Sequence, residues 1–164
     1  MKIAITGHQR LRDLSMWKWV DSELNNIIKS AVRPVIGVTS LAVGADQHFA
    51  YVILKNKGAL EVVLPFAGYE KMYASSSDLA QYRQYLKAAS KVETLLKLGS
   101  EQEAFFAAGK RVVDVSDVLI AVWDGLPAAG LGGTGDVVKY AREHGKKIFH
   151  LNPVSRVVAR INML

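Results

Sequence analysis

The chain has 164 residues, half of them hydrophobic, with 21 basic against 15 acidic side chains, a formal net charge of +6 and no cysteine. That length suits one domain with a core of its own, and the missing cysteine excludes disulfides, thiolate metal sites and a thiol nucleophile. No apolar run approaches a membrane span and the first residues lack a signal peptide's apolar core, so a cytoplasmic protein with no membrane partner is expected.

Residues 2–6 are an apolar, β-branched run that reads as a buried central strand and stops at Gly7-His8-Gln9-Arg10. Asp13 or Ser15 stands where a helix cap is needed, and Trp17, Val20, Leu24, Ile27, Ile28 and Ala31 recur behind it at helical spacing. Arg33-Pro34 ends that helix, because a residue before proline avoids helical geometry. Residues 35–38 form a second buried strand, and the turn through Gly44-Ala45-Asp46 leads to a helix closed near Gly58 as its C′ residue. Residues 60–64 make a third strand, closed by Pro65. The stretch 66–77, with Tyr69, Glu70 and Tyr73, reads as a lid-like loop. Asp78 is the expected cap of the next helix, and 92–96 is a short fourth strand. Ser100 and Glu103 fit a capping box. Residues 118–123 are a fifth buried strand, followed by a loop through Asp124 and the run Gly132-Gly133-Thr134-Gly135-Asp136 into a helix ending at His144-Gly145. Residues 147–151 are the last strand. The tail that follows suits a packing helix, an edge strand or an oligomer contact.

Strands alternating with helices predict a single α/β, Rossmann-like domain: a doubly wound, mostly parallel sheet of five or six strands with helices on both faces. The expected division is a nucleotide-binding domain over 1–153 and a tail over 154–164 that packs on it or on a partner subunit. Ligands in such sheets sit beyond the carboxyl ends of the strands, where the strand order reverses. If the first strand neighbours residues 118–123, three loops converge there: Gly7 to Arg10, Gly44 to Asp46, and Asp124 to Asp136.

These loops name the candidate ligand residues. Gly132, Gly133, Thr134 and Gly135 offer backbone N–H groups and a hydroxyl to a phosphate at a helix start, against the plainer reading of a flexible turn. Gly7 permits close approach, Arg10 can pair a phosphate, and His8 can donate a hydrogen bond or move a proton. Asp46, beside Gly44, suits ribose hydroxyls or the anchoring of a neighbouring loop. Asp124 suits ligand binding or catalysis, against a turn-forming aspartate before Gly125. Trp123 suits the core or a stacked base. Glu70 and Asp124 are the candidate catalytic carboxylates. His8, His48, His144 and His150 show no metal-ligand spacing, so no metal and no resident cofactor are expected.

The order of these motifs resembles the SLOG superfamily. The resemblance rests on Ile5-Thr6-Gly7-His8 with Arg10 after the first strand, Gly44-Ala45-Asp46 after the second, Leu64-Pro65-Phe66 closing the third, and Leu119-Ile120-Ala121-Val122-Trp123-Asp124-Gly125 with the late Gly132-Gly133-Thr134. That group includes the LOG proteins and DprA-type DNA-processing proteins. The likeness is strongest to its YpsA-like branch and covers residues 1–153. It implies a Rossmann-like fold and a nucleotide or nucleotide-derived ligand, bound in some members as a sensor and cleaved at the N-glycosidic bond in others. LOG enzymes carry Pro-Gly-Gly-x-Gly-Thr-x-x-Glu. Here Gly132, Gly133 and Gly135 keep the glycines, while Leu131, Asp136 and Lys139 replace the proline, threonine and glutamate. A lysine cannot act as the missing carboxylate, so the resemblance implies binding ahead of LOG chemistry, with N-glycosidic hydrolysis or transfer as the alternative. Nucleic acid ranks last among the partners, because the basic residues are spread along the chain without interleaved aromatics. Exposed helix faces and the tail offer surfaces for a homo-oligomer.

Overall fold

Successive side chains of a strand point to opposite faces of its sheet, and the first strand, β1 (Lys2–Gly7), uses both. In the computed structural model, which describes residues 1–127 and 130–161, Ile3 and Ile5 join one apolar cluster and Ala4 another. The remaining elements follow as α1 (Leu14–Ser30), β2 (Ile36–Thr39), α2 (Ala45–Lys55), β3 (Ala59–Leu64), a 3-10 turn (Tyr69–Met72), α3 (Ser76–Ala88), β4 (Lys91–Thr94), α4 (Glu101–Asp114), β5 (Val118–Val122), α5 (Thr134–Glu143), β6 (Lys147–Asn152) and β7 (Val157–Ile161).

The strand order is β4-β3-β2-β1-β5-β6-β7, parallel throughout except for β7, which runs antiparallel to β6. The chain therefore steps outward in one direction from β1 to β4, crosses back, and steps the other way from β5. With crossovers of fixed right-handedness, that reversal sends helices to opposite faces. The cores show it. Val20, Leu24, Phe49, Ile53 and Tyr82 of α1, α2 and α3 pack with Ile3 and Ile5, whereas Ala108, Val112, Val137 and Ala141 of α4 and α5 pack with Ala4 and Leu119. The crevice opens between β1 and β5, which pair in register from Ile3 with Val118 to Gly7 with Val122.

The fold is the expected Rossmann-like sheet, with differences of local origin. Its described residues form seven strands, because the tail supplies β7 as an edge strand. Asp13, not Ser15, caps α1, accepting from the N–H groups of Ser15 and Met16 at 2.8 and 3.1 Å. Ser75, not Asp78, caps α3. The capping box at Ser100 and Glu103 forms in both directions. The stretch after β3 is no lid: Phe66 and Tyr69 are buried and meet edge-on at 5.8 Å in an aromatic cluster with Phe105, Tyr73 and Tyr82. Residues 128–129 of the β5–α5 loop and 162–164 of the tail lie outside the described residues. No described helix is long and apolar enough to cross a membrane.

The C-terminus of α2 also departs from expectation. The C′ position belongs to Lys57, at φ 58°, with Gly58 one residue beyond. The Lys57 N–H donates to Leu54 O at 3.0 Å and the Gly58 N–H to Ile53 O at 2.9 Å, the paired bonds of a Schellman turn. A side chain in that left-handed region costs about 1 kcal/mol, so Lys57→Gly is expected to stabilise the fold by about 0.5–1 kcal/mol after glycine's extra unfolded-state entropy is subtracted. Urea denaturation of the two proteins measures the gain.

Candidate functional site

The three loops predicted to converge do so, around a cavity of about 540 Å³ at the carboxyl ends of β1, β2 and β5. The β1 loop forms its floor. The His8 N–H continues the sheet by donating to Val122 O at 3.0 Å, and the Ala45 N–H donates to His8 O at 3.1 Å. Gly7 allows this convergence, since a Cβ there would stand 2.6 Å from Ala45 Cβ and 2.8 Å from Val122 Cβ.

The β5 loop forms one wall. The Asp124 N–H donates to His8 Nε2 at 3.2 Å, which requires an unprotonated Nε2; a proton there would instead face Asp124 Oδ1 at 3.3 Å. Asp124 Oδ1 accepts from the Leu126 N–H at 3.0 Å, and the Asp124 carbonyl accepts from Asn152 Nδ2 at 3.1 Å. The aspartate thus makes the turn of the plainer reading and also lines the cavity. Trp123 lines it too, its indole N–H donating to Leu126 O at 2.8 Å.

The opposite wall is the start of α5. Gly132 has φ 83° and lies against α4, where a Cβ would come within 3.0 Å of Gln102 O and Phe106 Cβ. The Gly132 N–H donates to Asp136 Oδ2 at 2.9 Å and the Gly133 N–H to Gly130 O at 3.4 Å, so the chain itself occupies two donors of the cradle. Thr134 and Gly135 open the helix, and their N–H groups have no acceptor within it. Gly132, Gly133, Thr134 and Gly135 all line the cavity. Lys139, in the place of the LOG glutamate, faces solvent, with its Nζ 3.9 Å from Glu143.

The β2 loop closes the far side through Asp46. This carboxylate is buried, accepts from Thr39 Oγ1 at 2.8 Å and the Ser40 N–H at 2.9 Å, and lines the cavity. It ties down its own β2 loop rather than a neighbouring one. Burial pushes its pKa up to about 6, against the lowering pull of those hydrogen bonds.

Of the other candidates, Arg10 is exposed and outside the lining, Glu70 is exposed on the 3-10 turn and likewise outside it, and Gly44 lines a second, smaller cavity. Sequence reasoning missed Gln9, Ser40, Tyr69 and Phe105, which line the main cavity. It also missed Leu41, fully buried at φ 61°, whose carbonyl accepts from Tyr73 Oη at 2.6 Å. No sequence signal marks a leucine for that conformation. The lining holds the carboxylates of Asp46 and Asp124 and no lysine or arginine. Anion binding there falls to backbone N–H groups. Among the described residues, no three His, Asp or Glu side chains gather as a metal site would require.

The fold has counterparts among solved structures. DNA processing protein A from Helicobacter pylori, whose structure concerns a mode of single-stranded DNA binding, superposes with a TM-score of 0.67 at 17% identity, over 93% of this chain and 65% of that one. The chain has a DprA-like Rossmann fold. DprA from Streptococcus pneumoniae matches with a TM-score of 0.63 at 15% identity, over 92% of this chain and 50% of its own. The protein TM1055 gives 0.57 at 12% identity, over 90% and 71%. The chain thus spans between half and two thirds of the two DprA proteins. No family model and no curated protein matches the sequence. The DprA-like fold agrees with the SLOG resemblance at the level of architecture.

Proposed function

We propose that the main cavity binds a nucleotide or nucleotide-derived ligand, as a sensor and without turnover. The observation that carries this reading is the meeting, in one cavity of about 540 Å³, of the free N–H groups at the start of α5 with the acceptors Asp46 and Asp124 and the half-buried Trp123. Phosphate sits on the N–H groups, and sugar hydroxyls donate to the carboxylates. In a small-molecule site of this size, such convergent polar groups fix orientation. Turnover is not part of the proposal, because Lys139 replaces the LOG glutamate and faces solvent.

Thr134→Pro tests the cradle directly. Thr134 is the first helical residue, where proline is tolerated, and Gly133 before it is extended at ψ 172°, as a residue preceding proline must be. The variant should fold with an unchanged Tm and lose two cradle donors, the Thr134 N–H and hydroxyl. By calorimetry it should bind AMP at least about 10-fold more weakly, as expected for lost hydrogen bonds to a charged group, with adenosine affinity unaffected. AMP affinity equal to that of the wild type would remove phosphate from α5.

A second reading, single-stranded DNA, is favoured by the fold shared with the Helicobacter pylori protein and by the net charge of +6. Binding of oligothymidylate that weakens steeply with salt, with no binding of mononucleotides, would replace the first reading by this one.

A further inference from the structure

A second cavity, of about 330 Å³, lies between α1, α2 and α3 and touches the first through Gln9, which lines both. Asp21 and Asp78 line it and no lysine or arginine does, on a chain with an overall positive charge.

The aromatic wall is prearranged. The Trp17 and His48 rings stack with centroids 4.2 Å apart and planes 3° from parallel. His48 Nδ1 lies 2.7 Å from Asp21 Oδ1, which fixes the imidazole against the indole. Tyr51 and Tyr85 add two further rings, and Tyr51 already draws Lys55 Nζ to 5.6 Å from its centroid. The decisive group is Gln47, which is 4% exposed. Its Nε2 faces two carbonyls, Leu41 O at 3.3 Å and Asp78 O at 3.4 Å, which orients the amide. No described donor reaches its Oε1, which stays open to solvent in the cavity; the buried side-chain atom left without a partner among the described residues is Tyr82 Oη. The Asp78 carboxylate likewise has no cationic partner among the described residues.

We propose that this cavity binds a small organic cation, an alkylammonium or guanidinium compound. Such a ligand supplies donors to Gln47 Oε1 and Asp78 and a second one to Asp21, whose Oδ1 already meets His48 Nδ1, and rings stabilise a cation over their faces. An anion meets two carboxylates with only His48, already paired with Asp21, to offset them, and an apolar ligand leaves the acceptors unpaired.

The test is nuclear magnetic resonance titration of the full chain with putrescine, agmatine and choline, following the Trp17 indole and Gln47 side-chain amide. At least one cation should shift both signals saturably at millimolar concentration. Asp78→Asn and Asp21→Asn should each weaken that binding at least about 10-fold. Glu143→Gln, an equal charge change on the exposed side of α5, should leave it unchanged. Among the described residues the Asp78 side chain makes no hydrogen bond, so its variant tests the site even if the Asp21 variant disturbs His48. Three results would each overturn the proposal: no saturable shift with any cation, equal weakening by Glu143→Gln, or AMP shifting these signals more than the cations. Thr134→Pro separates the two sites, since it should weaken AMP binding and leave cation binding intact.

Discussion

Gly44→Ala should cost on the order of 3–5 kcal/mol of folding stability, a large share of the roughly 5–15 kcal/mol that holds a domain together. Two effects combine. Gly44 has φ 87° and ψ −124°, a region closed to residues with a Cβ. That Cβ would also land on the backbone of Gln9, 2.6 Å from its Cα and carbonyl carbon. Backbone cannot swing aside as a flexible side chain does, and this backbone is tied down by the bond from the Ala45 N–H to His8 O at 3.1 Å. Gly125→Ala gives positive-φ strain without collision, because Gly125 has φ 89° and none of the described atoms within 4 Å of its Cβ position. It should cost about 1–2 kcal/mol. Denaturation of both variants separates strain from collision. Equal losses would show that the β1 and β2 loops move apart freely and that the cavity floor is not fixed.

That collision explains why Gly44 belonged to the convergence read from the sequence and yet lies outside the main cavity. Its role is to let the β1 loop pass, which places His8 and Gln9. Sequence pattern reveals a glycine at a loop junction; it does not reveal whether ligand or backbone fills the space beside it. The sheet was legible because β1, β2, β3, β5 and β6 are apolar runs between turn residues, with β5 buried along its whole length. β7 was ambiguous because four of its five residues are exposed, so neither face carries a hydrophobic period. The stretch after β3 misled for the opposite reason. Serines and charges surround Phe66 and Tyr69, and only their three-dimensional neighbours show them to be core. The second cavity was invisible from sequence, since Trp17, Asp21, His48 and Tyr85 come from three helices and each reads singly as an ordinary helical residue.

The Asp46 carboxylate should reverse the usual acid response of a buried aspartate. Hydrogen bonds normally lower such a pKa, and stability then falls as the pH drops. Here burial wins and the folded value is about 6, against 3.8 for the free group. The folded state therefore holds the proton more tightly than the unfolded chain. The resulting stability is fully present below about pH 4 and is lost as the pH rises through about 6. Two pKa units correspond to on the order of 3 kcal/mol. Asp13 and Glu103, whose carboxyls are held below the usual range by their cap hydrogen bonds, pull in the other direction. A single pH curve thus mixes opposing terms. The difference between wild type and Asp46→Asn isolates the one of interest: relative to the variant, wild type should lose on the order of 3 kcal/mol between about pH 4 and pH 7. A flat difference would show that water reaches the carboxylate. A further consequence belongs to the proposed ligand. Asp46 lines the same cavity as the N–H groups of α5, so an anion bound there raises its pKa again. AMP binding near pH 6.5 should then take up a fraction of a proton, read as a dependence of the calorimetric heat on the ionisation enthalpy of the buffer. Asp46→Asn should abolish that uptake.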